Sequence, residues 1–121
     1  MSIDLVAAIA TKALDGLFAR QAATADNIAN AGSAGFTPVR VSFEDALRTA
    51  ALPRPGDNAS GVMNRIVAVE PMTGTTPADQ FDGMKLDREI TTASETSARY
   101  AMLVSMLDRT LQMQQLAVKG V

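Results

Sequence analysis

The segment "ATADNIANAGSAGFTPVRVSFEDAL", residues 23–47, is expected to end a long helix and turn the chain. Upstream of it, apolar residues recur at steps of three and four from Ile3 to Asn30, which predicts one amphipathic helix over that range. The asparagines Asn27 and Asn30 precede a glycine turn. We expect Gly32 to close the helix in the left-handed conformation, because glycine adopts it without steric cost.

The start and the interior of this helix leave alternatives open. Either Ser2 or Asp4 can cap the N-terminus. Gly16 lies inside the helix, where glycine costs about 1 kcal/mol relative to alanine. It marks either a bend, a close contact with another element, or a tolerated surface position.

A short helix is predicted from Ser42 to Leu52, with Ser42 as its N-cap and Glu44 in its positive first turn. The next segment, residues 53–85, contains four of the five prolines and four of the eight glycines. Within it only "RIVAV", residues 65–69, has the composition of a strand. We therefore predict an extended middle segment with at most one short strand or hairpin.

The C-terminal part has the clearest periodicity. The positions of one helical seam recur in it at steps that alternate between three and four residues. The seam consists of Ile90, Ala93, Ser97, Tyr100, Val104, Leu107, Leu111, Gln114 and Val118. A second apolar set, Leu103, Met106, Met113 and Leu116, lies beside it. One partner helix cannot cover both sets, so this helix is expected to contact more than one neighbour. The polar seam residues indicate either a fixed register or partial burial.

The predicted fold class is all-α, with long N- and C-terminal helices paired as in a coiled coil. Residues 1–52 hold the first helix, the turn and the short helix; residues 53–85 are the variable linker; residues 86–121 form the last helix. Two paired helices alone enclose no core, so we expect the isolated chain to be marginally stable and assembly to bury what it exposes.

Composition excludes several kinds of site. The chain of 121 residues has no cysteine and no histidine, which excludes disulfides, thiolates and imidazole ligands. The net charge of −2 is spread along the chain and does not resemble a nucleic-acid footprint. Nucleophile, phosphate-loop and dinucleotide motifs are absent from the sequence. We expect no enzymatic activity, no cofactor and no small-molecule substrate, and interpret acidic pairs such as Asp87 and Glu89 as turn and cap residues.

The N-terminus "MSIDLVAAIATKALDGLF" lacks the basic region and the apolar run of a secretory signal. No apolar stretch reaches the length of a membrane span. If the protein leaves the cytoplasm, we expect another export route.

Three motifs resemble the flagellar axial proteins, the family of rod, hook and hook-associated subunits. "NIAN" (residues 27–30) with the later Gly35 and Phe36 resembles the family's N-terminal signature. "VSFEDAL" (residues 41–47) resembles the segment that follows it in proximal rod subunits. "FDGMKLDREI" (residues 81–90) resembles the aspartate–glycine turn before the family's last helix. The threonine–proline–glycine–tyrosine usual in the family is here Ser33 to Phe36, without the proline.

This resemblance implies a structural subunit of the proximal rod in the flagellar basal body. It implies export by the flagellar type III apparatus, a periplasmic location and no cleaved signal peptide. The implied partners are neighbouring rod subunits, the basal-body adaptor and the export gate.

Three groups of residues are implicated. The signature turn comprises Asn27, Ile28, Ala29, Asn30, Gly32, Gly35 and Phe36, with Phe36 as its buried anchor. The turn into the last helix comprises Asp82, Gly83, Asp87 and Glu89. The subunit-packing surface comprises Leu14, Leu17, Phe18, Phe43, Leu47 and the seam. The alternatives are another axial or adaptor protein of the basal body, or a cytosolic coiled-coil adaptor or export chaperone.

Overall fold

The computed structural model describes residues 2–75 and 86–120 and is mainly helical. In chain order its elements are α1 (Ile3–Ala29), β1 (Val39–Ser42), α2 (Glu44–Ala51), α3 (Ala59–Val67), β2 (Met72–Thr75) and α4 (Leu86–Lys119). The long terminal helices pack together, which confirms that part of the predicted fold. A two-stranded sheet and a helix in the middle segment are additions to it.

Helices α1 and α4 run antiparallel. Asn27 contacts Glu89 near one end of the pair, and Gln21 contacts Ser97 further along. Their 27 and 34 residues correspond to about 40 and 50 Å. Since the first turn of α4 lies at the last turn of α1, the surplus length of α4 is at its C-terminal end.

Short polar side chains satisfy the exposed backbone groups at both ends of α1. The Ser2 hydroxyl accepts a hydrogen bond from the Leu5 N–H at 3.3 Å, so Ser2 is the N-cap. At the other end, the Asn30 side chain donates to the Asp26 carbonyl at 2.8 Å. The expectation that Gly32 closes the helix is wrong. Asn30 is the C-cap, and the left-handed position of the turn is Gly35, with φ 75°.

The start of α2 differs from the prediction. Ser42 is the last residue of β1, and Phe43 occupies the N-cap position without a side-chain hydrogen bond. The reason is packing, because the ring of Phe43 is buried at this joint and fixes where the strand gives way to the helix.

The middle segment is folded rather than extended over α3. Asn58 caps this helix by accepting from the Gly61 N–H at 2.8 Å, and Val62 and Ile66 bury the same helical face. The strand predicted at residues 65–69 is therefore wrong. Ile66 and Val67 belong to a helix that begins before them, and Ala68 is its C-cap.

A turn between α2 and α3 is held by one ion pair. Arg65 donates to both carboxylate oxygens of Asp57, each at 2.8 Å, and also to the carbonyls of Ala50 and Leu52 near the end of α2. This bidentate pair lowers the pKa of Asp57 to about 2. The guanidinium thus joins the C-terminal end of α2 to α3.

The middle segment does contain one short strand, but it lies at Met72–Thr75 and not at residues 65–69. It pairs antiparallel with β1, with Val39 opposite Thr75 and Ser42 opposite Met72. Its partner strand was not predicted.

The core lies where β1, α2 and α3 pack against α1. It consists of Leu5, Leu17, Val41, Phe43, Leu47, Ala50, Val62 and Ile66, with Leu103 of α4 packed against it. The chain therefore encloses a small core of its own, which a helix pair alone would not provide.

Candidate functional site

The first asparagine of the "NIAN" motif is buried at the meeting point of α1, β1 and α4. The Asn27 amide donates to the Val39 carbonyl at 2.9 Å, and its oxygen accepts from the Val39 N–H at 2.9 Å. The same amide nitrogen donates to the Glu89 carboxylate at 3.0 Å. Asn27 thus pairs with β1 as a neighbouring strand would and also holds the start of α4.

Glu89 completes this cluster, which we call the polar junction (Asn27, Val39, Arg40 and Glu89). The Glu89 side chain is fully buried, and its second oxygen lies 2.6 Å from the guanidinium of Arg40 on β1. Burial alone raises the pKa of Glu89, but the bonds from Arg40 and Asn27 outweigh it and hold that pKa below its ordinary value. The carboxylate is therefore ionised and joins α4 to both other elements.

A second set of contacts joins α1 to β1 and α2 around the ring of Phe43. A side chain at Gly16 would overlap this ring, and the Arg20 guanidinium lies 4.9 Å from its centroid. Arg20 also donates to the Val41 carbonyl at 2.8 Å and to Glu44 at 2.9 Å. Of the alternatives for Gly16, the close contact is therefore the one observed, and it is with Phe43.

The remaining signature residues lie at the end of α1 and in the turn that follows it, and are partly or fully exposed. Ile28 and Asn30 are half-buried, whereas Ala29, Gly32 and Gly35 are exposed. Phe36, expected as a buried anchor, is half-buried, and its N–H donates to the Ser33 carbonyl at 3.3 Å.

The side of α4 that faces α1 differs from the predicted seam. At about half of the seam positions, the residue that faces α1 is the one just before the predicted residue. Ala93, Leu107 and Gln114 are half-buried, as a seam requires. The other half is provided by Glu89, Thr96, Leu103 and Thr110, at heptad spacing, in place of Ile90, Ser97, Val104 and Leu111. Because Glu89 is bound by Asn27, it faces inward in place of Ile90, and the heptad row follows it. Tyr100 remains exposed.

The displaced half of the seam is an exposed row on α4, which we call the free stripe. Its members recur every seven residues and are Ile90 (50 % exposed), Ser97, Val104 (43 %), Leu111 (47 %) and Val118 (82 %). A row of that spacing is what a further helix would bury.

Methionines occupy the opposite flank of α4. Met102, Met106 and Met113 are each more than half exposed. At about 100° per residue, they lie on the other side of the α1-facing seam from the free stripe. Among the described residues, two separate apolar surfaces of α4 therefore remain uncovered. They do not coincide with the two predicted sets, because half of the seam faces α1 and Leu103 packs against the core.

Between α1 and α4 lies an open groove of about 370 Å³ beside the free stripe. The ring of Phe18, 67 % exposed, and that of Tyr100 both line it. Gln21 crosses it by donating to the Ser97 hydroxyl at 3.1 Å. The groove joins the exposed ring of Phe18 to the free stripe.

Several residues expected at subunit contacts lie inside the chain itself. Leu17, Phe43 and Leu47 belong to the core, and Leu14 is half-buried. They pack within the chain and are therefore not part of an exposed surface that a neighbouring subunit could contact. Of the turn into the last helix, Asp87 is exposed and Glu89 is buried in the polar junction. Asp82 and Gly83 lie outside the described residues.

Sequence reasoning missed Arg40 and assigned Glu89 to a turn. A carboxylate in the first turn of a long helix has the ordinary interpretation of a favourable charge at the helix N-terminus. The available signal was the one-residue offset of Glu89 from the apolar seam. An arginine in a segment without strand periodicity gave none.

No protein-family model matches the sequence, and no curated protein matches it at a significant level. Within residues 2–75 and 86–120, no three acidic residues are grouped so as to hold a metal ion. None of the helices described is both long and apolar enough to cross a membrane.

Proposed function

We propose that this chain is a structural subunit of the proximal rod of the bacterial flagellar basal body, of the FlgB type. In this role it assembles with other rod subunits into a helical tube that transmits motor torque to the hook and filament. The observation that carries the proposal is that α4 has two apolar surfaces that α1 leaves uncovered. A subunit inside a tube has neighbours on more than one side, and each surface then has a partner.

The polar junction gives the "NIAN" motif a physical role that suits such a subunit. Asn27 ties the end of α1 to β1 and to the first turn of α4, so the paired helices are fixed relative to the sheet. A tube that transmits torque needs a rigid connection of this kind within each subunit.

The partners follow from the same proposal. They are neighbouring rod subunits, including those of the FlgC type, the basal-body adaptor and the export gate, with no nucleic acid. The protein would be exported by the flagellar type III apparatus and reside in the periplasmic rod. A FlgC-like or adaptor role in the basal body is the nearest alternative, because the "VSFEDAL" segment alone distinguishes the two.

A cytosolic coiled-coil adaptor or export chaperone is the alternative from another class. A chaperone would use the free stripe to form a stable dimer in solution. A rod subunit would sediment as a monomer when purified, because its surfaces contact other subunits only within the assembled tube. Sedimentation velocity combined with circular dichroism separates these two proteins.

Deletion of the gene in its host, followed by electron microscopy of purified basal bodies, tests the proposal. We expect non-motile cells whose basal bodies stop at the membrane ring, without rod or hook, and recovery on complementation. Complete basal bodies and normal motility in the deletion strain would overturn the proposal and leave a cytosolic coiled-coil adaptor as the better account.

A further inference from the structure

A small cleft of about 130 Å³ lies between α1, β1 and the first turns of α4, on the outer side of the polar junction. Three arginines line it: Arg20 from α1, Arg40 from β1 and Arg88 from α4. Thr24 and Thr92 line it as well. The fold thus brings three cations to one place, although they are far apart in the sequence.

The internal carboxylates neutralise two of these arginines but leave many of their donors unused. Arg20 pairs with Glu44, and Arg40 pairs with Glu89. Arg88 is exposed and makes no ion pair with any residue that the structure describes. Three guanidiniums facing two carboxylates leave one positive charge, and each guanidinium carries five N–H donors.

The backbone of β1 adds one more donor. Hydrogen bonds in an antiparallel ladder alternate, so residues whose N–H and C=O face away from the partner strand recur every second position. Val39 bonds Asn27 through both groups, and the Val41 carbonyl accepts from Arg20, so both residues face α1. The N–H of Val41 is therefore directed toward α1, on the side where the cleft lies, and not toward β2.

We propose that this cleft binds an oxyanion. The unused guanidinium donors and the Val41 N–H surround it on several sides, and the volume accommodates one carboxylate or one phosphate group. Arginine presents paired donors that match the oxygens of both groups. Bound there, the anion would connect α1, β1 and α4 from outside the polar junction. This inference does not depend on the proposed function.

Titration of the ¹⁵N-labelled full chain with inorganic phosphate, followed by NMR, tests the proposal. We expect saturable shifts of the Val41 amide and of the arginine Nε–H signals of the cleft, absent with sodium chloride at matched ionic strength. Arg88→Gln should weaken binding about tenfold, since it removes the unpaired cation and its charge-assisted hydrogen bonds. Arg99→Gln, an exposed arginine on α4 outside the cleft, is the matched control and should bind as the wild type does.

A parallel titration with acetate identifies the source of the anion. Tighter binding of phosphate indicates a free tetrahedral anion, whereas acetate binding as tight as phosphate indicates a protein carboxylate from a neighbouring chain. Shifts that follow ionic strength alone, or equal weakening by the two arginine variants, would overturn the proposal.

Discussion

Replacing Asn27 by alanine tests the polar junction most sharply. The change removes three hydrogen bonds, two to the backbone of Val39 and one to Glu89. Each partner left unsatisfied costs about 1–3 kcal/mol, with the lower value apt for Val39, which is half-buried. Glu89 is fully buried but keeps Arg40. We therefore expect Asn27→Ala to lower the free energy of unfolding by about 2–4 kcal/mol.

Urea unfolding followed by circular dichroism at 222 nm measures this loss, with trimethylamine oxide added to secure the native baseline. Asn30→Ala is the matched control, because it removes two bonds, one of them long at 3.5 Å, on a half-exposed turn of the same motif. It should cost about 0.5–1 kcal/mol. Losses for the two variants that agree within about 0.5 kcal/mol would refute the reasoning, since the junction would then be no more important than an ordinary helix cap.

Asn27→Asp separates the hydrogen bonds from the shape of the side chain. It keeps the volume but places a second carboxylate beside Glu89, where the amide nitrogen now lies 3.0 Å away. Two carboxylates at that distance raise the pKa of one of them. A raised pKa means that the variant is penalised most above that pKa and recovers as pH falls. The deficit relative to wild type should therefore shrink between neutral pH and pH 5, whereas that of Asn27→Ala should not.

Three further predictions follow from the described contacts. Gly16→Ala should cost about 1–3 kcal/mol, because its Cβ overlaps the buried ring of Phe43, and Phe43→Leu in the same chain should recover part of that loss. Gly35→Val should cost about 1–2 kcal/mol, because Gly35 has φ 75°, whereas Gly32→Val, with open space and no left-handed backbone, should be tolerated. Asp57 has a pKa lowered from 3.8 to about 2, so its contribution to stability is complete above about pH 4 and is lost as pH falls toward 2. The difference in unfolding free energy between wild type and Asp57→Asn should therefore vanish toward pH 2. Urea titrations measure all three, and a difference for Asp57→Asn that is independent of pH would contradict the last.

The sequence was sufficient for the two long helices, because their apolar spacing extends over many turns and α1 begins at an ordinary serine N-cap. It was not sufficient for the rotation of α4. The seam was read from apolar residues, but Glu89 and Thr96 face α1 instead, since Glu89 finds an amide and a guanidinium there. The buried polar contacts of Glu89 therefore shift the α1-facing side of α4 by one residue from the side that its apolar residues predict. That one-residue displacement also creates the free stripe.

The middle segment was misread for a different reason. Pro53, Pro55 and Gly56, the last with φ 81°, precede α3, and Pro71 follows it, whereas Gly61 lies within the helix and Gly74 within β2. Strand composition at residues 65–69 was local, whereas the helix depends on the Asn58 cap and on packing against α1 and α2. The pairing of β1 with β2 joins residues 30 to 36 apart in the chain, and strands of four residues give too little alternation to predict it.

The central claim is that neighbouring subunits bury the free stripe, and the absence of native cysteine makes this directly measurable. Leu111→Cys places a thiol on the stripe, and Thr49→Cys places one on an exposed position of α2 as the control. Each variant is treated with a maleimide reagent as the free chain and within purified basal bodies. We predict that Cys at position 111 reacts in the free chain and is protected in basal bodies. Within basal bodies, the control at position 49 should be labelled more strongly than position 111. Equal labelling of both positions in basal bodies, or no trace of the chain there, would contradict the account.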